Sequence, residues 1–310
     1  MNIINNLHAP VLLRETMNLM NIKADGVYVD STAGRGGHSQ AIINFLSKKG
    51  LLLCIDTDNE AISYLHNKFT GLNNVKIIKG NFANISMILK TLNIKKVDGI
   101  LADLGVSSPM FDDTTRGFSY HNDGVLDMRM DQNQTKTASD VINNYSKHEL
   151  ISMFKKYGDV NHPNIVVDKI INERKTHVIS STSELVKIIK SVLPKKELTK
   201  LKHPAKVYFQ ALRIEVNDEI NKLKDFLNQV PNLLNKGGKL LIISFHSLED
   251  KIVKDYFNLL ISSNIPKEVP LIFKPDFTLL NKKPIVPAEQ EILSNFRSRS
   301  AKLRGVMKNV

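Results

Sequence analysis

Apolar residues follow two rhythms along this chain. Short runs of mostly Val, Ile and Leu cover residues 27–30, 51–56, 75–79 and 97–103. Between them, apolar positions recur at helical spacing over 39–47, 59–69 and 85–92. The run L-L-L-C-I-D at 51–56 has no polar alternation, which marks a parallel strand buried on both faces. In the first helical segment Ile42, Ile43 and Leu46 share the inward face. Strands alternating with helices predict an α/β fold, a doubly wound sheet. Right-handed crossovers then gather all the strand carboxyl ends, and the ligand crevice, on one edge.

The alternation breaks after Leu104. Residues 105–134 are loop-like, rich in Gly, Ser, Pro and Asp, and only helical patterns follow, at 139–144, 147–155, 166–174, 183–192 and 205–212. A mostly helical insertion is the simplest reading. The α/β pattern then returns: a helix over 217–234 closed by Gly237 and Gly238, a buried strand over 239–245, a helix over 248–261, and last strands at 271–274 and 301–308. The expected organisation is a discontinuous domain of residues 1–105 and 213–310 around an insertion of 106–212.

Composition narrows the class. With 42% hydrophobic and 24% charged residues in 310, the chain reads as an ordinary soluble globular protein. No apolar run approaches the ~20 residues of a membrane span, and the N-terminal stretch lacks the parts of a secretory signal. The single cysteine, Cys54, has no intrachain partner and reads as packing within its apolar run. A cytoplasmic protein is the expectation. The net charge of +12, from 43 basic and 31 acidic residues, favours a polyanionic partner such as nucleic acid. The abundance of Lys, Ile and Asn, typical of AT-rich coding, offers a compositional origin for the same charge.

Residues 28–39, Y-V-D-S-T-A-G-R-G-G-H-S, carry the first chemistry. A strand ends in Asp30, a loop with Gly34, Gly36 and Gly37 follows, and a helix begins. Glycine admits close backbone approach to a ligand, and the helix start adds free N–H groups. A dinucleotide fingerprint would place glycines at Gly34 and Gly36, a third small residue at Ser39, and an acidic residue at Asp56, 20 positions after Gly36. Carboxylates at Asp30, Asp56, Asp58 and Asp103 favour instead a cationic sulfonium, the methyl donor S-adenosylmethionine, since a pyrophosphate would be repelled. Nothing spaces His, Cys or carboxylates like a structural zinc site, so no metal is expected.

Further motifs follow in order: D-L-G-V-S-S at 103–108, R-G-F-S-Y at 116–120, L-D-M-R-M-D at 126–131, F-Q-A-L-R-I-E-V-N at 209–217, I-S-F-H-S-L-E-D at 243–250 and R-S-R-S-A-K-L-R at 297–304. Together they closely resemble the bacterial family of methyltransferases that modify the N4 amino group of a cytidine in small-subunit (16S) ribosomal RNA, the MraW or RsmH family. The resemblance runs from His8 to the C-terminal strand. It implies a class I methyltransferase domain with the helical insertion serving RNA recognition. It also implies S-adenosylmethionine as donor, and ribosomal RNA or the assembled small subunit as partner. Residue by residue, it carries over Gly36, Gly37 and His38 from the glycine loop, Asp56 as ribose ligand, Phe82 against adenine, and Asp103 at the mouth of the site. Three places depart from the family pattern: Met110 where Gln is common, Asp159 to Val167 in place of an acidic and basic run, and Lys206-Val207 in place of Thr-Arg.

In such a reaction the amino lone pair is delocalised into the cytosine ring. An acceptor for its N–H protons would localise it, a role for Asp103 or the Leu104 carbonyl. Phe118, Tyr120 and Phe245 are candidates to stack on an exposed base, with core packing as the alternative. His246 either orients a loop or contacts the base. Asp127 and Arg129 are spaced for an ion pair. The lysines of 187–202 with Lys206, and Arg297, Arg299 and Arg304, are candidates for phosphate contact, against a solvated face. Competing readings are a DNA or protein amino-methyltransferase and a non-catalytic nucleotide-sensing RNA-binding protein.

Overall fold

The computed structural model describes residues 10–199, 203–262 and 275–310. The chain divides into two compact units, Met1–Gly105 with Asn221–Val310, and Val106–Ile220.

The first unit opens with α1 (Leu13–Met20), a helix with no clear signal in the sequence. There follow β1 (Val27–Asp30), α2 (Gly37–Ile43), β2 (Leu51–Asp56), α3 (Asn59–Lys68), β3 (Val75–Lys79), α4 (Ile85–Thr91) and β4 (Val97–Asp103). Helix α2 stops short of the expected 47. Phe45 and Leu46 tighten onto Ile42 and Ile43, and the Ser47 N–H leaves the helix for the Ala24 carbonyl at 2.8 Å.

The second unit is helical: α5 (Ser108–Asp112), α6 (Ala138–Asn144), α7 (Lys147–Gly158), α8 (Asn164–Glu173), α9 (Thr182–Val192), α10 (Lys195–Leu198) and α11 (Lys206–Asn217). Capping boxes, Thr137 with Asp140 and Ser146 with Glu149, start α6 and α7. Phe154 of α7 meets Tyr208 of α11 edge-on at 5.0 Å. The glycine- and aspartate-rich loop is itself folded. The buried Arg116 guanidinium donates to the Arg129 and Met130 carbonyls, both at 3.1 Å, and Asn217 holds Met128 and Met130 by their backbones. The expected boundary at 212/213 falls inside α11, all of which belongs to this unit.

The chain re-enters the first unit along α12 (Glu219–Leu233), which runs straight into β5 (Leu234–Ser244). The strand begins five residues before the expected 239. Gly237 and Gly238 do not stop a helix; they form a bulge between the pairs Val97↔Leu234 and Gly99↔Lys239. After α13 (Ser247–Ile261) come β6 (Phe277–Leu279), α14 (Glu289–Ser294) and β7 (Lys302–Lys308). The strand expected at 271–274 lies outside the described residues.

The sheet order is β3-β2-β1-β4-β5-β7-β6, parallel through β5, with β7 antiparallel to both its neighbours. This is the class I methyltransferase arrangement, an α/β doubly wound sheet with a mostly helical insertion. Successive strand side chains face opposite sides. Leu53, Ile55, Ile100, Ala102 and Ile242 pack under Phe226, Leu227 and Phe257. Leu52, Cys54, Leu101, Leu241 and Ile243 pack under Ile42, Leu65 and Phe69. Both faces are covered, which is why these strands read as unbroken apolar runs.

Candidate active site

The order of the strands reverses between β1 and β4, so the crevice of the first unit opens at the carboxyl ends of these two strands. Register fixes what stands there. Asp30, the last residue of β1, pairs with Cys54 on one side and Leu101 on the other. Asp56 and Asp103 each lie two residues farther along, about 6–7 Å beyond at strand rise. The two carboxyls therefore flank the loop that leaves β1.

That loop is tied down from below. The Ala33 N–H donates to the Ile55 carbonyl, Gly34 N–H to Asp56 Oδ2 at 2.7 Å, and Gly36 N–H to the Ala33 carbonyl. Gly36 sits at φ +66°, and a Cβ there would come within 2.8 Å of Leu65 Cδ2 on α3. A Cβ on Gly37 would meet Pro10 Cγ at 2.5 Å. A side chain at either position would have to displace its neighbour, and at Gly36 would also have to adopt a left-handed backbone. Lys68, at the end of α3, donates to the Arg35 and Gly36 carbonyls at 3.0 and 2.8 Å. This strut had no signal in the sequence. Arg35 lies over the Tyr64 ring at 4.7 Å, on the same helix.

Burial dominates the electrostatics. Asp30 is buried, with Oδ2 accepting from Ser39 Oγ at 2.6 Å and Oδ1 without a partner. Burial pushes its carboxyl from 3.8 up to about 6, against the opposing pull of the Ser39 hydroxyl. Asp56 is also raised, by burial first, although Oδ2 accepts from Gly34 and Oδ1 from Asp58 N–H at 2.9 Å. Asp103 is raised furthest beyond its ordinary range, by burial and then by Asp30 and Glu249. Its Oδ1 is sealed and unpartnered while the rest of the side chain stays a quarter open, at 25% exposure. The backbone N–H of Asp103 donates to Thr32 Oγ1 at 2.7 Å, which ties β4 to the loop. Among the described residues no lysine or arginine pairs with these three carboxyls. The site is built to receive a cation.

His38 follows Gly37 on the first turn of α2. Burial lowers its imidazole to about 4, with the Val11 backbone opposing, so the ring is neutral at neutral pH. Neither ring nitrogen has a partner at hydrogen-bond geometry, and Nε2 lies 3.7 Å from Asp103 Oδ2. Phe82 begins a 3₁₀ turn just past β3 and stands edge-on to Phe226 at 5.2 Å. Gln229 of α12 braces this turn through the Ala83 carbonyl and the Ser86 N–H.

A sulfonium nucleoside fits these residues. The three raised carboxyls supply a negative field, Asp56 keeps a lone pair on each oxygen for ribose hydroxyls, and Phe82 offers a ring surface. The unpartnered Oδ1 atoms of Asp30 and Asp103 and the His38 nitrogens are orphaned polar atoms of the kind a ligand satisfies.

Other residues singled out in the sequence have different tasks. His246 caps α13. Its Nδ1 accepts from the Glu249 N–H at 3.4 Å, and Glu249 Oε2 accepts from the Phe245 N–H at 3.0 Å. Glu249 is a buried carboxyl whose only signal in the sequence is the capping pattern of the H-S-L-E spacing. Arg304 is held by Asp250, with Nε at 2.7 Å, and Lys302 joins at 2.9 Å, so Arg304 is a structural cation. Arg299 lies over the Phe296 ring at 4.3 Å. In the second unit, Arg129 forms a bidentate pair with Asp127 and also donates to the Gln132 and Gln134 carbonyls. Phe118 is buried, edge-on to Phe111, and belongs to the core; Met110 is buried too. Residues 200–202 of the lysine-rich stretch lie outside the described residues.

The sequence model of the MraW methylase family matches residues 5–309. Curated relatives bearing the name Ribosomal RNA small subunit methyltransferase H are similar over nearly the whole chain. The protein of Ureaplasma parvum serovar 3 is 52% identical over 98% of this chain and 99% of its own. That of Malacoplasma penetrans is 46% identical over 98% and 97%, and that of Streptococcus mutans serotype c is 43% identical over 97% of each.

Proposed function

This chain belongs to the MraW methylase family, and from that premise we propose that it methylates the N4 amino group of a cytidine in small-subunit ribosomal RNA. It is an S-adenosylmethionine-dependent ribosomal RNA methyltransferase. The observation that carries the reading is the set of raised, uncompensated carboxyls around the glycine loop, with Asp103 outermost on β4. Among the described residues no helix is long and apolar enough to cross a membrane. We place its action in the cytoplasm on the ground of its proposed substrate, ribosomal RNA.

When bound, the donor supplies a methyl group on a positively charged sulfur whose departure leaves a neutral thioether, so no general acid is needed. The protein's residues do the rest. The glycine loop, held by Asp56 and Lys68, lets the donor approach the backbone of Gly36 and Gly37. Asp56 receives the ribose hydroxyls and Phe82 packs at the adenine. His38, neutral and buried, offers a ring nitrogen without adding a repelling charge. Asp103 accepts an N–H of the cytosine amino group, which localises the nitrogen lone pair as attack begins and takes the proton released. A cation in the site draws the Asp103 carboxyl back toward its ionised form, which favours its role as acceptor when the donor is bound. Orientation of the two substrates supplies much of the remaining rate.

The test is transfer of labelled methyl to small ribosomal subunits, free ribosomal RNA, DNA and protein, followed by mass mapping of the modified nucleoside. Label in N4-methylcytidine of the small-subunit RNA is expected. Label only in DNA or protein would sink the proposal. Asp103→Ala should abolish transfer while preserving the fold by circular dichroism; near-normal turnover would remove Asp103 from the mechanism.

A further inference from the structure

In the second unit, the rings of Tyr120, His121 and His203 form a layered group on the surface. Its foundation is Phe209 of α11, which is buried. Tyr120 stands edge-on to Phe209, 5.7 Å away at 82°. His203 lies nearly flat on Tyr120, 4.8 Å away at 17°. His121 closes the group, 4.6 Å from Tyr120 and 5.3 Å from His203. His121 is exposed, and Tyr120 and His203 are half-buried.

The group is held before any ligand arrives. The N–H groups of His121 and Asn122 donate to Ser119 Oγ at 3.2 and 3.3 Å. The Asn122 carbonyl accepts from Thr182 Oγ1 at 2.9 Å, on the first turn of α9. The Ala205 N–H donates to His203 Nδ1 at 3.3 Å, so in the neutral ring the proton sits on Nε2. Burial, Lys190 and His121 all lower the His203 imidazole, which leaves it a neutral π face at neutral pH.

From this geometry we propose that the Tyr120–His203 stack, with His121 at its edge, is a platform for an unpaired RNA base. The inference rests on the RNA-substrate reading above and deepens it. A stacked, preorganised ring pair loses little entropy on binding, and every nucleobase offers it a π face. The Nε2–H of His203 adds a donor for a base acceptor. Lys190, close enough to bias His203 electrostatically, is suited to the neighbouring phosphate. The net charge of +12 favours this occupant over an apolar peptide.

The probe is a single-stranded oligocytidylate carrying one 2-aminopurine, whose fluorescence is quenched on stacking, titrated into the full-length protein at fixed salt. His203→Ala should weaken binding about five- to tenfold, the low end for one base–aromatic stack, and remove the quench. The slope of log affinity against log salt should stay unchanged, because no phosphate contact is lost. His203→Phe should restore both affinity and quench. Wild-type binding and quenching in His203→Ala would overturn the platform. So would a wild type that does not quench, or a rescue that fails with Phe. If the wild type transfers methyl to ribosomal RNA and His203→Ala keeps the same KM for it, the platform falls and the function stands. If the wild type labels only DNA or protein, the function falls first.

Discussion

Replacing Asp30 by asparagine should make the unliganded protein more stable and its donor site worse. The wild-type carboxyl is buried and raised from 3.8 to about 6. At 1.36 kcal/mol per pH unit that displacement corresponds to about 3 kcal/mol. The sign follows from linkage. A raised carboxyl contributes its full share of stability below about pH 3.8, and that share is lost as pH rises through about 6. Asparagine carries no charge and keeps an oxygen for the Ser39 hydroxyl. Asp30→Asn should therefore gain about 3 kcal/mol above pH 7, roughly half of that at pH 5, and about 0.6 kcal/mol near pH 4. Thermal or denaturant melts of both proteins from pH 4 to 8 measure the gain. The liganded protein should respond in the opposite direction. S-adenosylmethionine carries the cation and S-adenosylhomocysteine does not. Loss of even half of the ~3 kcal/mol costs the variant about tenfold in the ratio of their affinities, which calorimetry can read. A variant no more stable than wild type at pH 7.5, or an unchanged affinity ratio, would refute the account of Asp30 as a carboxyl held for a positive ligand.

Three further outcomes follow from the same site and the surface around it. Gly36→Ala combines a left-handed backbone with a Cβ 2.8 Å from Leu65, and should lose donor binding together with about 1–3 kcal/mol of stability, read by calorimetry and melting. Lys68→Met removes the strut under the loop. It should raise the KM for donor several-fold with little change in kcat at saturation, and Lys68→Arg should recover part of it; a fall in kcat alone would argue against the strut. Cys54, buried with its thiol pushed up to about 12, should resist iodoacetamide in the folded protein at pH 8 and react only on unfolding, which mass spectrometry resolves.

The strands were legible because both faces of the sheet are covered. Unbroken runs such as 51–56 and 97–103 admit few other readings, and their boundaries coincide with β2 and β4. The start of β5 was not legible, because a glycine pair after a helix reads the same whether it ends the helix or bulges a strand. Only the partner strand β4 distinguishes the two. Helix α1 leaves no start signal in the sequence, because Leu12 precedes it in a left-handed conformation with no capping side chain. Around the donor loop, local spacing drew attention to Asp30, Asp56 and Asp103. Their raised carboxyls depend on packing between distant segments and leave no local trace. The same holds for Lys68, which meets the loop only through the fold. Arg304 shows the converse: its R-S-R-S-A-K-L-R setting suggested phosphate, yet a carboxylate 54 positions away in sequence, Asp250, holds it.

The last strand carries a consequence for how the protein is made. β7 is threaded between β5 and β6, although both are synthesised before it. Among the described residues β6 pairs only with β7, so during translation β6 and the edge of β5 wait for residues 302–308 to emerge. The helical unit, by contrast, leaves the ribosome uninterrupted and has its chain complete long before the sheet has all its strands. The carboxyl edge that carries the donor site is thus laid down early and locked late. Nascent chains stalled before β7 should present an open strand edge to chaperones.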